Sequence, residues 1–385
     1  MTGVADLPLH SGKVPPWMLK VMERLARSIA RAIVEIHGPD AVVRGLADPY
    51  WFQAFNNAIG MDWDSSGSTT VLLAVLRKVS LSEDLGFIVV GGKGRRMRGI
   101  DSEVEALADR VGIDASKLLG FSQAAGRVSN VLLQDGYSPY IHAVVASETG
   151  LMVAVQQGMN VEAGLSRRYH VDRESVEEPF RGVSGILSHS GVLNAVASES
   201  KEARKLYVDL AREGASRIER MVLEASRMVS GAPTLLDYMD RHPGASHRNA
   251  SGGPRSSKPY YKPVPIDSRT RKYLEMLADN PPVDEQDLLT APGLTPKVVR
   301  ALALVADIIY GVPTSHRDPV STPLNPFVYA YSVGGKDGVP YRFDRRTAER
   351  VVLALEEAVE LARLGRDEKL RALRRLRRLL DPLRS

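Results

Sequence analysis

The chain has 385 residues, with 51 lysines and arginines against 46 aspartates and glutamates, 44% hydrophobic residues and no cysteine. The composition is globular, and the length accommodates two or three domains with cores of their own. Missing cysteine excludes disulfides, thiolate metal sites and cysteine nucleophiles, and without an apolar run of about 18 residues no membrane span is expected. The opening Met1-Thr2-Gly3-Val4-Ala5-Asp6 lacks the basic and apolar stretches of a secretory signal, so a cytoplasmic protein is expected.

In chain order, Pro15-Pro16 predicts a helix starting near Trp17, with Met18, Val21, Met22, Leu25 and Ile29 at helical spacing and Gly38-Pro39 closing it. A second amphipathic segment covers 49–59 and ends in the polar loop 60–67, after which 71–76 is again helical. Phe87-Ile88-Val89-Val90 predicts a strand stopped by Gly91-Gly92-Lys93-Gly94. Residues 141–147 and 151–156 predict a hairpin across Glu148-Thr149-Gly150, with a further strand through Arg168-Tyr169-His170-Val171. Helical spacing returns over 202–229, interrupted at Gly214, then over 235–239, and again from Asp267 onward. The expected class is α+β. A mixed domain with a small antiparallel sheet fills 1–190, a helical segment 191–241, a basic loop or linker 242–265, a mainly helical domain 266–365, and a basic C-terminal helix 366–385.

The position of the charge matters more than its sum. Residues 242–265 carry Arg248, Arg255, Lys258 and Lys262 with no acid, and 366–385 carry eight basic residues against three acidic ones. The rest of the chain is slightly acidic. Positive charge gathered in a linker and a tail suits a polyanion such as DNA.

The strongest local motif is 284–311. Asp284 is placed to cap a short helix, Pro292-Gly293 to make a tight turn, and Thr295 to cap a second helix with Pro296 at its first position. The spacing predicts a helix-hairpin-helix whose glycine admits a phosphate close to the backbone amides. This segment resembles the hairpin of the base-excision glycosylases related to endonuclease III. The resemblance implies a catalytic lysine at Lys297 and a catalytic aspartate at Asp318, with Pro292, Gly293 and Thr295 binding DNA. A second turn glycine is replaced by Thr295, and the helix after Lys297 is about one turn longer than in that family. The implied reaction is attack of a lysine amine on sugar C1′ at a damaged base, without a cofactor.

Ala5-Asp6-Leu7-Pro8-Leu9-His10, Asp62-Trp63-Asp64-Ser65-Ser66-Gly67, Gly91-Gly92-Lys93-Gly94, the stretch from Val155 to Asn160, Arg167-Arg168-Tyr169-His170 and Gly334-Gly335-Lys336-Asp337-Gly338 are landmarks of another kind. With them the chain resembles a prokaryotic domain-of-unknown-function family (DUF763-like), which implies no mechanism.

Other residues are candidates in their own right. Lys93, Arg95 and Arg96, with Arg98, cluster on a glycine-rich turn suited to phosphate but without the spacing of a nucleotide-binding P-loop. Lys336 and Asp337 occupy a second glycine-flanked turn. Gln157 and Tyr169, beside Gln156, Asn160 and His170, are candidates for bonding or stacking an unpaired base. Asp62 and Asp64, with His10, His142 or Glu148, raise a metal-dependent nuclease as an alternative. A non-enzymatic DNA-binding protein is the third. The expected partner is DNA, damaged or locally unpaired.

Overall fold

The computed structural model describes residues 1–9, 12–61, 66–172, 187–188, 192–230, 264–319 and 343–362. In chain order come β1 (Gly3–Pro8), α1 (Pro16–His37), α2 (Pro39–Ala47), α3 (Pro49–Ala58), α4 (Ser66–Ser82) and β2 (Phe87–Lys93). They are followed by α5 (Arg95–Arg98), α6 (Ile100–Leu107), α7 (Ala115–Arg127), β3 (Leu133–Gln134), β4 (Ser138–Ser147), β5 (Met152–Asn160) and β6 (Leu165–Asp172). The later elements are β7 (Leu187–Ser188), β8 (Leu193–Asn194), α8 (Lys201–Ala211), α9 (Ala215–Ser230), α10 (Ser268–Asp279), α11 (Pro296–Ile308), β9 (Arg317–Asp318) and α12 (Arg345–Ala362). By its internal contacts the chain divides into two units. A sheet unit comprises Thr2–Ser122, Tyr137–Arg173 and Ser321–Ser385, and a helical unit comprises Met1, Gln123–Gly136 and Glu174–Val320.

The sheet unit is built on five antiparallel strands in the order β1-β6-β5-β4-β2. Alternation along the strands sends Phe87, Val89, Ile141, Ala143, Val145, Val153 and Val155 into one core with helices α1 to α4 and α12. The other face is buried too, through Ile88, Val90, Val144, Ala146 and Ala154. The predicted hairpin is present: β4 and β5 meet at a turn where the Gly150 N–H donates to the Ser147 carbonyl at 2.9 Å and Gly150 takes φ +85°.

Helix α1 forms as its spacing predicts, with Pro16 in the first turn and Met18, Val21, Met22 and Leu25 buried. Gly38 ends it at φ +78°, but the chain does not stop being helical there. Pro39 takes the first position of α2, where a missing N–H is no loss, so a pair expected to close one helix also opens the next. Asp48 caps α3 by accepting from the Tyr50 N–H at 2.7 Å and the Trp51 N–H at 3.2 Å.

In the helical unit, α8 and α9 flank Gly214 at φ +78°, the interruption the sequence predicts. Arg204 is nearly fully buried and binds Glu285 at 2.7 Å and the carbonyls of Ala195 and Ala197 at 2.9 and 2.7 Å. Val298, Val299, Leu302, Ala303, Leu304 and Val305 bury α11 on all sides. The chain therefore has a mixed α+β N-terminal region with a small sheet and a helical C-terminal region. The expected two-helix hairpin differs from what is observed: the first element is a single 3₁₀ turn, Asp287–Leu289, whose three residues are too few for a helix. The expected helix at 235–239, most of the basic segment 242–265 and the tail 366–385 lie outside the described residues. No helix among the described residues is long and apolar enough to cross a membrane.

Candidate nucleic-acid interface

The glycine-rich turn at the end of β2 belongs to the sheet unit. Gly91, Gly92 and Gly94 have φ values of +80°, +135° and +63°, a conformation that other residues rarely adopt. At Gly91 a Cβ would lie 2.4 Å from the His142 carbonyl oxygen of the neighbouring strand, so only glycine fits. The Gly91 N–H donates to Glu103 Oε2 at 2.7 Å, and the Gly94 N–H donates to the Tyr140 carbonyl at 3.1 Å. These amides bind protein, so the turn is not an amide cradle of the P-loop kind. What it offers is side-chain charge.

Lys93, Arg95, Arg96 and Arg98 are all exposed, and among the described residues none is in an ion pair. Lys93 Nζ lies 5.4 Å from the centre of the Tyr140 ring. Nearby cations behave differently: Arg77 binds Glu103, Lys78 binds Glu23, and Arg31 binds Glu83. Beside the turn is a cleft of about 460 Å³ with an aliphatic floor of Leu19, Leu73, Ala74 and Ile141 and with Lys93 and Arg96 among its lining.

The second predicted phosphate site, 284–311, is formed but used differently. Asp284 accepts from the N–H groups of Gln286 and Asp287 at 2.9 and 2.8 Å, and Thr295 caps α11 through the Val298 N–H at 3.4 Å. Gly293, at φ +83°, packs on α10, where a Cβ would stand 2.1 Å from the Tyr273 carbonyl oxygen. Its missing side chain admits a helix, not a phosphate. Arg127 donates to the carbonyls of Leu289 and Ala291 at 2.6 and 3.1 Å, fixing the turn from below. Pro292 is exposed at its tip.

Lys297 donates to Asp267 Oδ2 at 2.7 Å, with about half of its side chain in solvent. That bond, with those from Thr270, holds the Asp267 carboxyl well below its usual range. Asp318 is buried in β9. The DNA glycosylase and lyase assignment is therefore corrected. Lys297 is a surface lysine paired with a helix-capping aspartate, not a desolvated amine facing Asp318.

The remaining candidates separate. Tyr169 and Gln157 are each 1% exposed, so neither is on the surface to meet a base. Gln157 Nε2 donates to the Ser66 carbonyl at 3.1 Å and to the Tyr140 hydroxyl, while its Oε1 has no hydrogen-bond partner among the described residues. Asn160 accepts from the Ala163 N–H at 3.0 Å and shapes a turn. His170 is fully buried, receives Arg168 Nε at 3.0 Å, and lies 2.8 Å from the Leu46 carbonyl. His142 lies between Ser122 Oγ and Gln156 Nε2, each 2.8 Å away. Among the described residues no group of three or more His, Asp or Glu side chains could hold a metal ion. His10, Asp62, Asp64, Lys336 and Asp337 lie outside the described residues.

Sequence reasoning missed Glu103, which holds both the Gly91 amide and Arg77, and the cleft floor. Glu103 is twelve residues beyond Gly91 with no motif between them, so no local signal marks it.

The fold and the turn define an α+β protein with a helix-covered antiparallel sheet and a cationic glycine turn. The chain belongs to the family described as protein of unknown function (DUF763), whose model matches residues 3–343. That membership carries no glycosylase or lyase activity with it. No curated protein and no solved structure matches the chain.

Proposed function

We propose that the protein binds DNA by its phosphate backbone, with the turn 91–98 as the main contact among the described residues. The observation that carries this is the set of four exposed cations on one turn that make no ion pair among the described residues, beside Arg77 and Lys78, which are each bound to a carboxylate. A surface that leaves cations without carboxylates favours an external anion. The basic excess in 242–265 and 366–385 supports the same partner. Lysine and arginine contacts of this kind position a backbone and do not read sequence.

The test replaces Lys93, Arg95, Arg96 and Arg98 together by alanine. Binding to a labelled duplex is followed by fluorescence anisotropy at two salt concentrations. Affinity should fall at least tenfold, and the salt slope should drop by roughly 0.9 for each phosphate that is no longer neutralised. Unchanged affinity and slope in a folded variant would remove this turn from the interface.

A further inference from the structure

We propose that the cleft beside the turn holds one unpaired nucleotide, its base and sugar on the aliphatic floor and its phosphate on Lys93 and Arg96. This inference rests on the DNA-binding reading above and names the form of DNA that the site takes.

The cleft measures about 460 Å³, within the size range of small-molecule sites. It is composite in chemistry. Leu19 from α1, Leu73 and Ala74 from α4 and Ile141 from β4 supply apolar walls. Arg77 and Lys78 also line it, but each is neutralised by a carboxylate, Glu103 and Glu23. Lys93 and Arg96 are exposed and, among the described residues, carry no ion pair. The uncompensated charge is therefore positive and lies at one side of an apolar recess. Its complement is a molecule with flat, uncharged faces to lie on the aliphatic walls and an anionic end, as the base and the phosphate of a nucleotide provide. Inorganic phosphate satisfies the cations but leaves the apolar walls wet. A duplex satisfies the cations but keeps its bases stacked and out of the recess. A strand with an unpaired nucleotide satisfies both at once. Among the described residues no aromatic ring lines the cleft, so a base here lies against aliphatic side chains, a contact that reads no hydrogen-bonding edge and does not select among bases.

The experiment compares a labelled single-stranded 12-mer with its duplex, using the full chain and anisotropy, in wild type and Ala74→Phe. Ala74 is exposed on α4, so the larger ring enters the cleft without disturbing the core; Ala74→Leu is the second variant, and circular dichroism checks both folds. Wild type should bind the single strand at least tenfold more tightly than the duplex. Ala74→Phe should remove that preference while leaving duplex affinity unchanged. A deoxynucleoside monophosphate should compete for the single strand, whereas inorganic phosphate at equal concentration should not. Equal affinity for both DNA forms, an undiminished preference in Ala74→Phe and Ala74→Leu, or stronger competition by a fatty acid than by the monophosphate would each overturn the proposal. Duplex binding that depends on the four cations without any single-strand preference would leave the DNA-binding reading standing and sink this one alone. Failure to bind either form would sink both.

Discussion

Two segments, 91–98 and 284–297, pair glycine with lysine and resemble each other as phosphate sites. Their surroundings part them. In the first, Gly91 and Gly94 shape a turn whose four cations are exposed and make no ion pair among the described residues. In the second, Gly293 admits the Tyr273 carbonyl, Lys297 is bound to Asp267, and Arg127 holds the carbonyls of the turn. A cation is available to a ligand only when the fold has not already supplied its carboxylate. That carboxylate is 30 residues away from Lys297 in the chain, beyond any motif.

The sharpest way to break this contrast is at the glycines. Gly293→Ala combines a φ of +83° with a Cβ 2.1 Å from a backbone oxygen, and should destabilise the chain by about 4 kcal/mol. Gly94→Ala, at φ +63° with nothing within 4 Å of its Cβ, should cost only about 1–2 kcal/mol. Urea midpoints measure both. Equal losses would show that Gly293 has no packing role. The arginines give the next largest difference. Arg204→Ala strands Glu285 and the Ala195 and Ala197 carbonyls, at a cost of about 3 kcal/mol. Arg98→Ala, on the exposed turn, should change stability by less than about 0.5 kcal/mol.

Acid separates interior from surface in another way. Burial pushes His142 down to about 4, and burial with the nearby Arg168 charge pushes His170 down to about 3. Both folded values lie below the ordinary 6.5, so between them the unfolded chain takes up protons that the native chain refuses. Stability is therefore present above 6.5 and falls as pH drops, levelling near the folded values. From pH 7 to pH 5 each histidine should cost about 2 kcal/mol. His142→Gln should reduce that pH dependence by about half, as read from urea midpoints at the two pH values. An undiminished dependence would place His142 in solvent.

Much of the fold is legible because its causes are local. The spacing of Met18, Val21, Met22 and Leu25 marks α1, and Glu148-Thr149-Gly150 marks the β4–β5 turn. Helix α2 escapes because Gly38-Pro39 carries two meanings, and only the buried Val42, Val43 and Leu46 choose between them. Strand β1 escapes because six residues ending in Pro8 make an edge whose evidence is its partner, β6, more than 150 residues later. The site divides along the same line. Lys93, Arg95 and Arg96 are visible as a charge cluster, since their exposure follows from a turn. Gln157 and Tyr169 carry the polar and aromatic groups a base site needs, yet both face inward. A strand pattern polar on one face and apolar on the other reads as solvent-facing, but this sheet is covered on both sides.

The smallest expected effect tests the comparison most directly. Lys297 and Arg96 are both exposed cations, and charge counting alone assigns them equal weight toward DNA. Their pairing separates them. Lys297→Ala removes one exposed ion pair, to Asp267, whose cap on Thr270 at 2.7 Å persists without it. Stability should fall only slightly, because the pair is solvent-exposed, and the loss should shrink in high salt as the ion pair is screened. Affinity for DNA should stay within twofold, because the lysine was not free to meet phosphate. Arg96→Ala should reverse both readouts, with stability unchanged and affinity reduced severalfold. Anisotropy and urea unfolding on the same two variants decide it. If Lys297→Ala weakens DNA binding as much as Arg96→Ala, then DNA displaces Asp267, and a carboxylate partner does not withdraw a cation from the interface.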